Sequence, residues 1–430
     1  MVRIRPLGKV ICFNCWERFH IADCRIVSAL EGNTVLEEAP KGVRRLLRRM
    51  WVRPISGTAY IDRRARRQCP RCEALLPRNV DYMQPQVIGL VGASASGKSH
   101  YIASLVQELK RGDVLSQIGC TQFSPLDQDV EDDYKTKYYD PLFVRKEALQ
   151  VTAPAVPIMR NRPLIYEMIF EKKGWLPLKL QQRVNLVLFD ASGEDLGDEK
   201  KLLEFHRYVL NASALIFMVD PQALTSFTKE LLPHLRAKEV EEQLQARQGS
   251  PQDAFDVLNR IRRVYQQNNG IVTGRRMSLP IVMTLSKSDL LRFGMEGLGL
   301  NKVFWRRPDY SQGFKSDEFN RVDQEVRDIL NGFMGPAFVD SCTHSFPNLA
   351  FSAVSATGMA PDKDQRYRDV KPIRCLDPLL WILWKLGYIR PTHSTKQTPE
   401  TQPTSTTQHA AQAAGWPRDG AFNRATEREG

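Results

Sequence analysis

The stretch Gln86-Val87-Ile88-Gly89-Leu90-Val91-Gly92-Ala93-Ser94-Ala95-Ser96-Gly97-Lys98-Ser99 decides the fold. Its opening, Gln86 to Val91, is an apolar run suited to a buried strand. From Gly92 to Ser99 the chain fits GxxxxGK[ST]. In that pattern the glycines let the backbone curl, so that its N–H groups point inward at phosphate oxygens. Lys98 would reach the β- and γ-phosphates, and the Ser99 hydroxyl would ligate Mg²⁺. Ile102, Leu105, Val106 and Leu109 follow at helical spacing, so the loop opens a helix whose N-terminus favours anions. The candidate nucleotide ligands of this segment are Gly92, Ser94, Ser96, Gly97, Lys98, Ser99 and His100.

The chain has 430 residues, 42% of them hydrophobic, which suits one large globular α/β domain with attachments. No stretch reaches the ~20 apolar residues of a membrane-spanning helix. The start carries no apolar signal segment, so a cytoplasmic protein is expected. In that compartment its eight cysteines point to metal binding or buried thiols rather than disulfides. The net charge of +12 is uneven, because residues 1–80 hold 17 Lys and Arg against 7 Asp and Glu. The other 350 residues carry only about +2.

Apolar strand candidates at 86–91, 164–170, 184–189, 214–219, 280–285 and 349–354 alternate with amphipathic helices. This alternation predicts an α/β fold with a mainly parallel six-stranded sheet covered on both faces. The strand at 164–170 is the least uniformly apolar and is placed at an edge. Three regions are expected: a basic, cysteine-rich module over 1–80, the nucleotide-binding body over 85–390, and a disordered Thr-, Gln-, Pro- and Ala-rich tail over 391–430.

Three more elements follow the phosphate loop in order. Asp190-Ala191-Ser192-Gly193 ends the strand Val184–Phe189. There Asp190 can hold Mg²⁺ directly or through water, and the Gly193 N–H can meet a γ-phosphate. Ser286-Lys287-Ser288-Asp289 follows Leu279–Leu285. A carboxylate at Asp289 can accept from guanine N1–H and the N2 amino group, whereas adenine would leave it buried and unpaired. The Lys287 stem can pack on the base. Ser355-Ala356 follows Leu349–Val354, and its backbone N–H groups can meet guanine O6; Ser352-Ala353 is a competing alignment.

These elements in this order resemble the Ras-like (TRAFAC) GTPases: GxxxxGKS, DxxG, a variant of [NT]KxD, then SA. Within them the chain is similar to the bacterial double-GTPase families, which pair such a domain with a cysteine-rich N-terminus. The resemblance implies a GTP-binding, Mg²⁺-dependent switch or slow GTPase. Ser286 stands where the pattern has Asn or Thr. Glu194 stands where many hydrolytic members have a water-orienting glutamine, and its charge beside an anionic phosphate implies slow or partner-dependent hydrolysis. The spacing is long, so residues 111–161 and 222–279 are expected to be inserts; the second holds a helix marked by Ala254, Val257, Leu258, Ile261 and Tyr265. The first switch should supply a threonine to Mg²⁺, with Thr152 the candidate and Thr136 the alternative. Lys98, Thr152, Gly193 and Glu194 form the expected catalytic set.

Cys12-Phe13-Asn14-Cys15 and Cys69-Pro70-Arg71-Cys72 each offer two thiolates to one tetrahedral Zn²⁺. Their separation of 53 residues exceeds the usual 15–20 of such sites, which an inserted hairpin or helix would explain. Cys24 and His20 are substitute ligands. Cys120, Cys342 and Cys375 read as core thiols.

Within that insert Val43, Leu46, Leu47, Met50 and Trp51 share one helical face, and Arg44, Arg45, Arg48 and Arg49 the other. Two readings stand: an apolar side packed onto the protein with arginines in solvent, or a helix that binds nucleic acid, an anionic surface or an acidic protein. A second basic cluster is Arg63, Arg64, Arg66 and Arg67. Asp377 to Tyr388 is expected to be a closing helix packed on the sheet. Competing functions are an ATP-dependent P-loop enzyme and a nucleic-acid- or membrane-binding adaptor with structural nucleotide.

Overall fold

The computed structural model describes residues 9–28, 34–50, 65–77, 80–81, 84–92, 96–149, 163–173, 179–190, 207–223, 254–268, 277–291 and 302–392. The N-terminal module begins with an antiparallel pair, β1 (Lys9–Ile11) and β2 (Arg18–His20), around the first CxxC turn. β3 (Arg25–Ser28) then lies between β4 (Val35–Glu37) and β5 (Ala65–Gln68) in a second, three-stranded antiparallel sheet. Helix α1 (Gly42–Met50) is inserted between β4 and β5. Hairpin and helix together account for the long gap between the two CxxC pairs. The second basic cluster is not a uniformly solvated patch. Arg67 donates from Nε to Asp81 Oδ1 at 2.5 Å, and both side chains are buried. Arg63 and Arg64 lie outside the described residues.

The body starts with β6 (Gln84–Gly92) and α2 (Lys98–Arg111). It continues through β7 (Cys120–Pro125), α3 (Gln128–Tyr134) and a π-type helical run, Lys135–Val144. β8 (Leu164–Lys173), β9 (Lys179–Asp190), α4 (Arg207–Leu210) and β10 (Ala214–Val219) follow. α5 (Ala254–Asn268), β11 (Ile281–Leu285), α6 (Ser316–Met334), α7 (Pro336–Ser345), β12 (Leu349–Ala353) and α8 (Asp377–Lys385) complete it.

The sheet has seven strands in the order β12-β11-β10-β6-β9-β8-β7. It is mixed, with one strand more than the mainly parallel six-stranded sheet expected from the sequence. β12, β11, β10, β6 and β9 run parallel, β8 is antiparallel to β9, and β7 is antiparallel to β8. β8 is therefore internal, and β7 forms the edge in its place. All six expected strands are present. The parallel strands read as continuous apolar runs because both sheet faces are covered, and every residue of β10 is buried.

Side chains alternate between two cores. On one face Val87, Val91, Leu215, Phe217 and Met283 pack with Leu258, Ile261 and Val264 of α5 and Val322 of α6. On the other, Ile88, Leu90, Leu186 and Ile216 pack with Ile102 and Leu105 of α2. Leu379 and Leu383 of α8 join Val282 and Ala350 in that second core, the closing role expected of this helix. The cysteine module is anchored to the first core. Phe13 and Trp16 belong to it, Trp16 lying 6.0 Å from the Tyr208 ring. Asn211 adds two polar ties, accepting from Arg18 Nε at 2.6 Å and donating to the Trp16 carbonyl at 2.9 Å.

Pro391 and Thr392 belong to the body: the Thr392 N–H donates to Phe314 O at 2.8 Å. The remainder of the expected tail lies outside the described residues. Among the described residues no helix is long and apolar enough to cross a membrane.

Candidate nucleotide and metal sites

The loops that follow β6, β9, β10, β11 and β12 leave the same edge of the sheet because those strands are parallel. In open α/β sheets, ligands bind beyond the carboxyl ends of the strands. Described residues of the phosphate-loop, SKSD and SA elements, and Asp190 of the DxxG element, lie at this edge.

Gly92 is the last residue of β6. A Cβ there would come within 2.6 Å of the Met218 carbonyl and 2.7 Å of Ser96 Oγ, so no other residue fits. Gly97 caps α2 at φ +84°, the left-handed region where glycine is favoured. Lys98 is buried and donates from Nζ to the Gly92 carbonyl at 3.1 Å, which folds it across the loop. Ser99 occupies the first turn of α2. Ser96 is buried, and its Oγ has no partner among the described residues. Ser94 falls outside them. Asp190 ends β9 in register with Leu90. Gly193, Glu194 and Thr152 lie outside the described residues; Thr136 is exposed in the π-type run.

The base-side elements sit against this loop. A Cβ on Gly97 would lie 3.9 Å from Ser286 Cβ. Ser286 is fixed by two bonds to the Val219 carbonyl, from its N–H at 2.9 Å and its Oγ at 3.1 Å. Lys287 has a left-handed φ of 50°, and its Nζ donates to Asp220 Oδ2 at 2.6 Å. Asp289 is buried and accepts from Ser355 Oγ at 2.5 Å. Burial pushes its carboxyl above the usual carboxylate range, and the Ser355 bond opposes that rise. Ser355 Oγ also accepts from the Gly358 N–H at 2.8 Å. Between the two SA alignments, Ser355-Ala356 is the one at the turn, whereas Ser352 is buried within β12. The Ser355 N–H is taken by Ile373 O at 3.1 Å, so Ala356 supplies the available N–H of that pair. The Ala356 carbonyl accepts from Ser104 Oγ of α2 at 2.6 Å, which ties this turn to the phosphate-side helix.

His100 accepts the Leu149 N–H on Nε2 at 3.1 Å and lies 3.3 Å from Tyr367 Oη. This holds the chain entering the Thr152 region to α2. Burial, with Lys287 nearby, lowers its pKa to about 4. Asp220 and Tyr367 were not identified from the sequence. An acidic residue directly after the apolar strand Ala214–Val219 was the available signal for Asp220. Nothing local marks Tyr367.

The second candidate site is the cysteine cluster. Sγ atoms of Cys12, Cys15, Cys69 and Cys72 all lie within 4.8 Å of one another. Cys12 and Cys72 are 3.6 Å apart, Cys15 and Cys69 3.8 Å. A zinc–sulfur bond of about 2.3 Å gives tetrahedral edges of about 3.8 Å, so the donor set fits zinc. The two CxxC turns repeat each other. Asn14 N–H donates to Cys12 Sγ and Arg71 N–H to Cys69 Sγ, each at 3.4 Å. Trp16 and Glu73, each one residue past the second cysteine, share left-handed φ values of 59° and 60°. The hydrogen bond from Cys12 lowers the Cys69 thiol, and burial raises that of Cys15. The substitute ligands are not part of the cluster. Cys24 is buried in the module core, and His20 Nδ1 accepts the Ala22 N–H at 3.2 Å.

Fold and site together define a GTPase-like α/β domain joined to an N-terminal four-cysteine module. Residues 171–348 match the model of the Double-GTPase 2 family. The match includes Asp190 and Asp289; the phosphate loop and Ser355 lie on either side of it. Over 338 residues, the chain is 25% identical to SaeC of Mycolicibacterium smegmatis, to which a role in ESX-1 scaffolding and assembly is ascribed. That alignment covers 75% of this chain and 80% of SaeC. Among solved structures, the Arl6 BBS3 small GTPase of Trypanosoma brucei with GppNp aligns at 13% identity and a TM-score of 0.25, covering 70% of this chain and 97% of that one. The GTP-bound Ski7 GTPase-like domain of S. cerevisiae aligns at 10% identity and a TM-score of 0.22, covering 71% of this chain and 51% of that one.

Proposed function

We propose that the protein binds GTP with Mg²⁺ and acts as a switch that hydrolyses GTP slowly, its zinc-bound N-terminal module engaging a partner. The observation that carries this reading is the contact between the phosphate and base elements. Gly97 abuts Ser286, and one carboxylate oxygen of Asp289 is held by Ser355 beside them.

In this reading the loop amides and Lys98 hold the β- and γ-phosphates, releasing the Lys98–Gly92 bond as the lysine turns outward. Ser99 and Asp190, with Thr152, would hold Mg²⁺, which would neutralise phosphate charge. Gly193 senses the γ-phosphate. Asp289 accepts from the guanine edge, the Lys287 stem covers one face of the base, and the Ala356 N–H meets O6. Water attacks the γ-phosphorus as its bond to the β–γ bridging oxygen breaks, so that GDP leaves and the water's proton goes to the released phosphate or to solvent; positioning and electrostatics are the chief help. Glu194 places negative charge beside that centre and slows the step until a partner relieves it.

Calorimetric titration with GTP and ATP in the presence of Mg²⁺ tests the assignment. GTP should bind far more tightly than ATP, and Lys98→Ala should abolish tight binding of GTP. Equal affinities for the two nucleotides would favour an ATP-dependent P-loop enzyme instead. The likeness to SaeC favours a second reading, in which nucleotide occupancy shapes a scaffold and turnover is incidental. A protein that binds GTP but shows no phosphate release with or without partners would fit that reading.

A further inference from the structure

Helix α1 is mounted with its charged side against the protein. Arg45 donates from Nε and a terminal nitrogen to both carboxylate oxygens of Asp23, at 2.8 and 2.7 Å. Arg49 adds a second guanidinium to the same carboxylate at 2.8 Å, and Arg48 pairs with Glu37 at 2.7 Å. The apolar side points away: Val43, Leu46 and Leu47 are 72%, 64% and 59% exposed. Of the two readings the sequence left open, this rules out the one with an apolar side packed onto the protein. A soluble amphipathic helix buries that stripe, and a contiguous exposed one marks an interaction site.

The surroundings of the stripe select its occupant. Three arginines of the helix are already engaged by Asp23 and Glu37, so a nucleic acid would meet leucines where it needs cations. The acids that pair with those arginines lie under the helix. Lys41 and Arg44, exposed beside the stripe, have no ionic partner among the described residues. Beyond the helix the sequence continues Met50-Trp51-Val52-Arg53, again apolar, aromatic and basic. Apolar residues flanked by free cations, with a tryptophan following, suit a helix lying at the boundary between headgroups and acyl chains. The positive surplus of residues 1–80 acts in the same direction. We propose that α1 docks the protein on an anionic phospholipid surface, Val43, Leu46 and Leu47 entering the acyl boundary and Lys41 and Arg44 meeting phosphates. Among the described residues no helix can span a bilayer, so the attachment is peripheral.

The full-length protein should co-sediment with vesicles made of equal parts phosphatidylcholine and phosphatidylglycerol, and about tenfold less with phosphatidylcholine alone. Leu46→Gln/Leu47→Gln should reduce binding by about tenfold or more, because the inserted apolar area falls. Lys41→Glu/Arg44→Glu should weaken anionic-vesicle binding through charge alone, which keeps the proposal testable if the leucine variant misfolds. Zinc content and melting temperature report whether each variant stays folded. Failure to bind either vesicle overturns the proposal, as does undiminished binding by both variants. Concentration-dependent self-association that the leucine variant abolishes, without vesicle binding, would assign the stripe to a second copy of the chain and overturn it too.

Discussion

Ser355 Oγ donates a 2.5 Å hydrogen bond to Asp289 Oδ1, joining the turn after β12 to the turn after β11. The two residues stand 66 apart in the sequence, and their only common frame is the sheet edge. The bond fixes the orientation of a carboxylate that would otherwise rotate, and it partly offsets the cost of burying that charge.

Ser355→Ala should therefore weaken GTP binding selectively. Losing one hydrogen bond to a charged group costs about 1.5–3 kcal/mol, or roughly 10- to 150-fold in affinity. Asp289→Ala should cost GTP more, and ATP little in either variant. Calorimetric titration of both nucleotides checks this; parallel losses for GTP and ATP would remove the pair from base recognition.

The same burial predicts a pH signature. Asp289 has a folded pKa raised above its unfolded value of about 3.9. The folded state thus holds the proton more tightly, and stability is lost as pH rises through the interval between the two values. Asp289→Asn cannot ionise, and its amide oxygen can still accept from Ser355. Its melting temperature should match wild type near pH 4 and exceed it increasingly toward neutrality, while GTP affinity falls. Melting curves that stay parallel across that range would contradict the prediction.

His100 should act in the opposite sense. Its pKa is lowered from 6.5 to about 4 by burial and by Lys287. A depressed histidine contributes stability that is present above pH 6.5 and is lost as pH falls toward 4. The loss is about 3.5 kcal/mol at most, given about 1.4 kcal/mol per pKa unit. In His100→Gln, whose side-chain oxygen can accept the Leu149 N–H, thermal denaturation should show a smaller acid-induced drop over that interval.

What the sequence made legible follows from which interactions are local. The parallel strands were readable because both faces are buried, which leaves continuous apolar runs such as Ala214–Val219. β7 was not, because only Cys120 of its six residues is buried and it closes on a proline, as an edge strand does. The direction of β8 had a usable clue. β8 ends at Lys173 and β9 begins at Lys179, too short a gap for the dozen residues of a parallel crossover. The GxxxxGK[ST] run and each CxxC pair were legible because each is contiguous in the sequence. Pairings across long separations were not: Lys287 with Asp220, Arg67 with Asp81, and α1 with Asp23. The periodicity of α1 fixed its two faces and said nothing about which would dock, because the acids that decide it lie on the β1–β4 segment.

Gly92→Ala offers a test of the loop itself. The added methyl would press within 2.6 Å of the Met218 carbonyl, a backbone atom of the neighbouring strand that cannot swing aside. The variant should lose tight nucleotide binding and melt lower by about 1–3 kcal/mol of stability, the usual cost of overpacking. Binding at wild-type affinity would show that the loop is not closed around phosphate in this conformation.

Zinc should matter beyond its own module, because Trp16 follows Cys15 directly and packs on Tyr208 in the first core. Asn211 bonds the Trp16 carbonyl and Arg18, so the cysteine turn is pinned to the segment between α4 and β10. Structural zinc supplies about 10–16 kcal/mol of binding in small zinc modules, much of it used to order them. One zinc per chain is expected by elemental analysis. Chelation, or Cys15→Ser with Cys72→Ser, should lower the main calorimetric transition by about 5 °C or more, since a shift of this size follows from a few kcal/mol in a chain this large. GTP affinity should fall less than stability, because Tyr208 bonds the Leu90 carbonyl within β6, before the loop begins. A metal-free variant with an unchanged main transition would mean that the module and the nucleotide domain melt independently despite sharing a core.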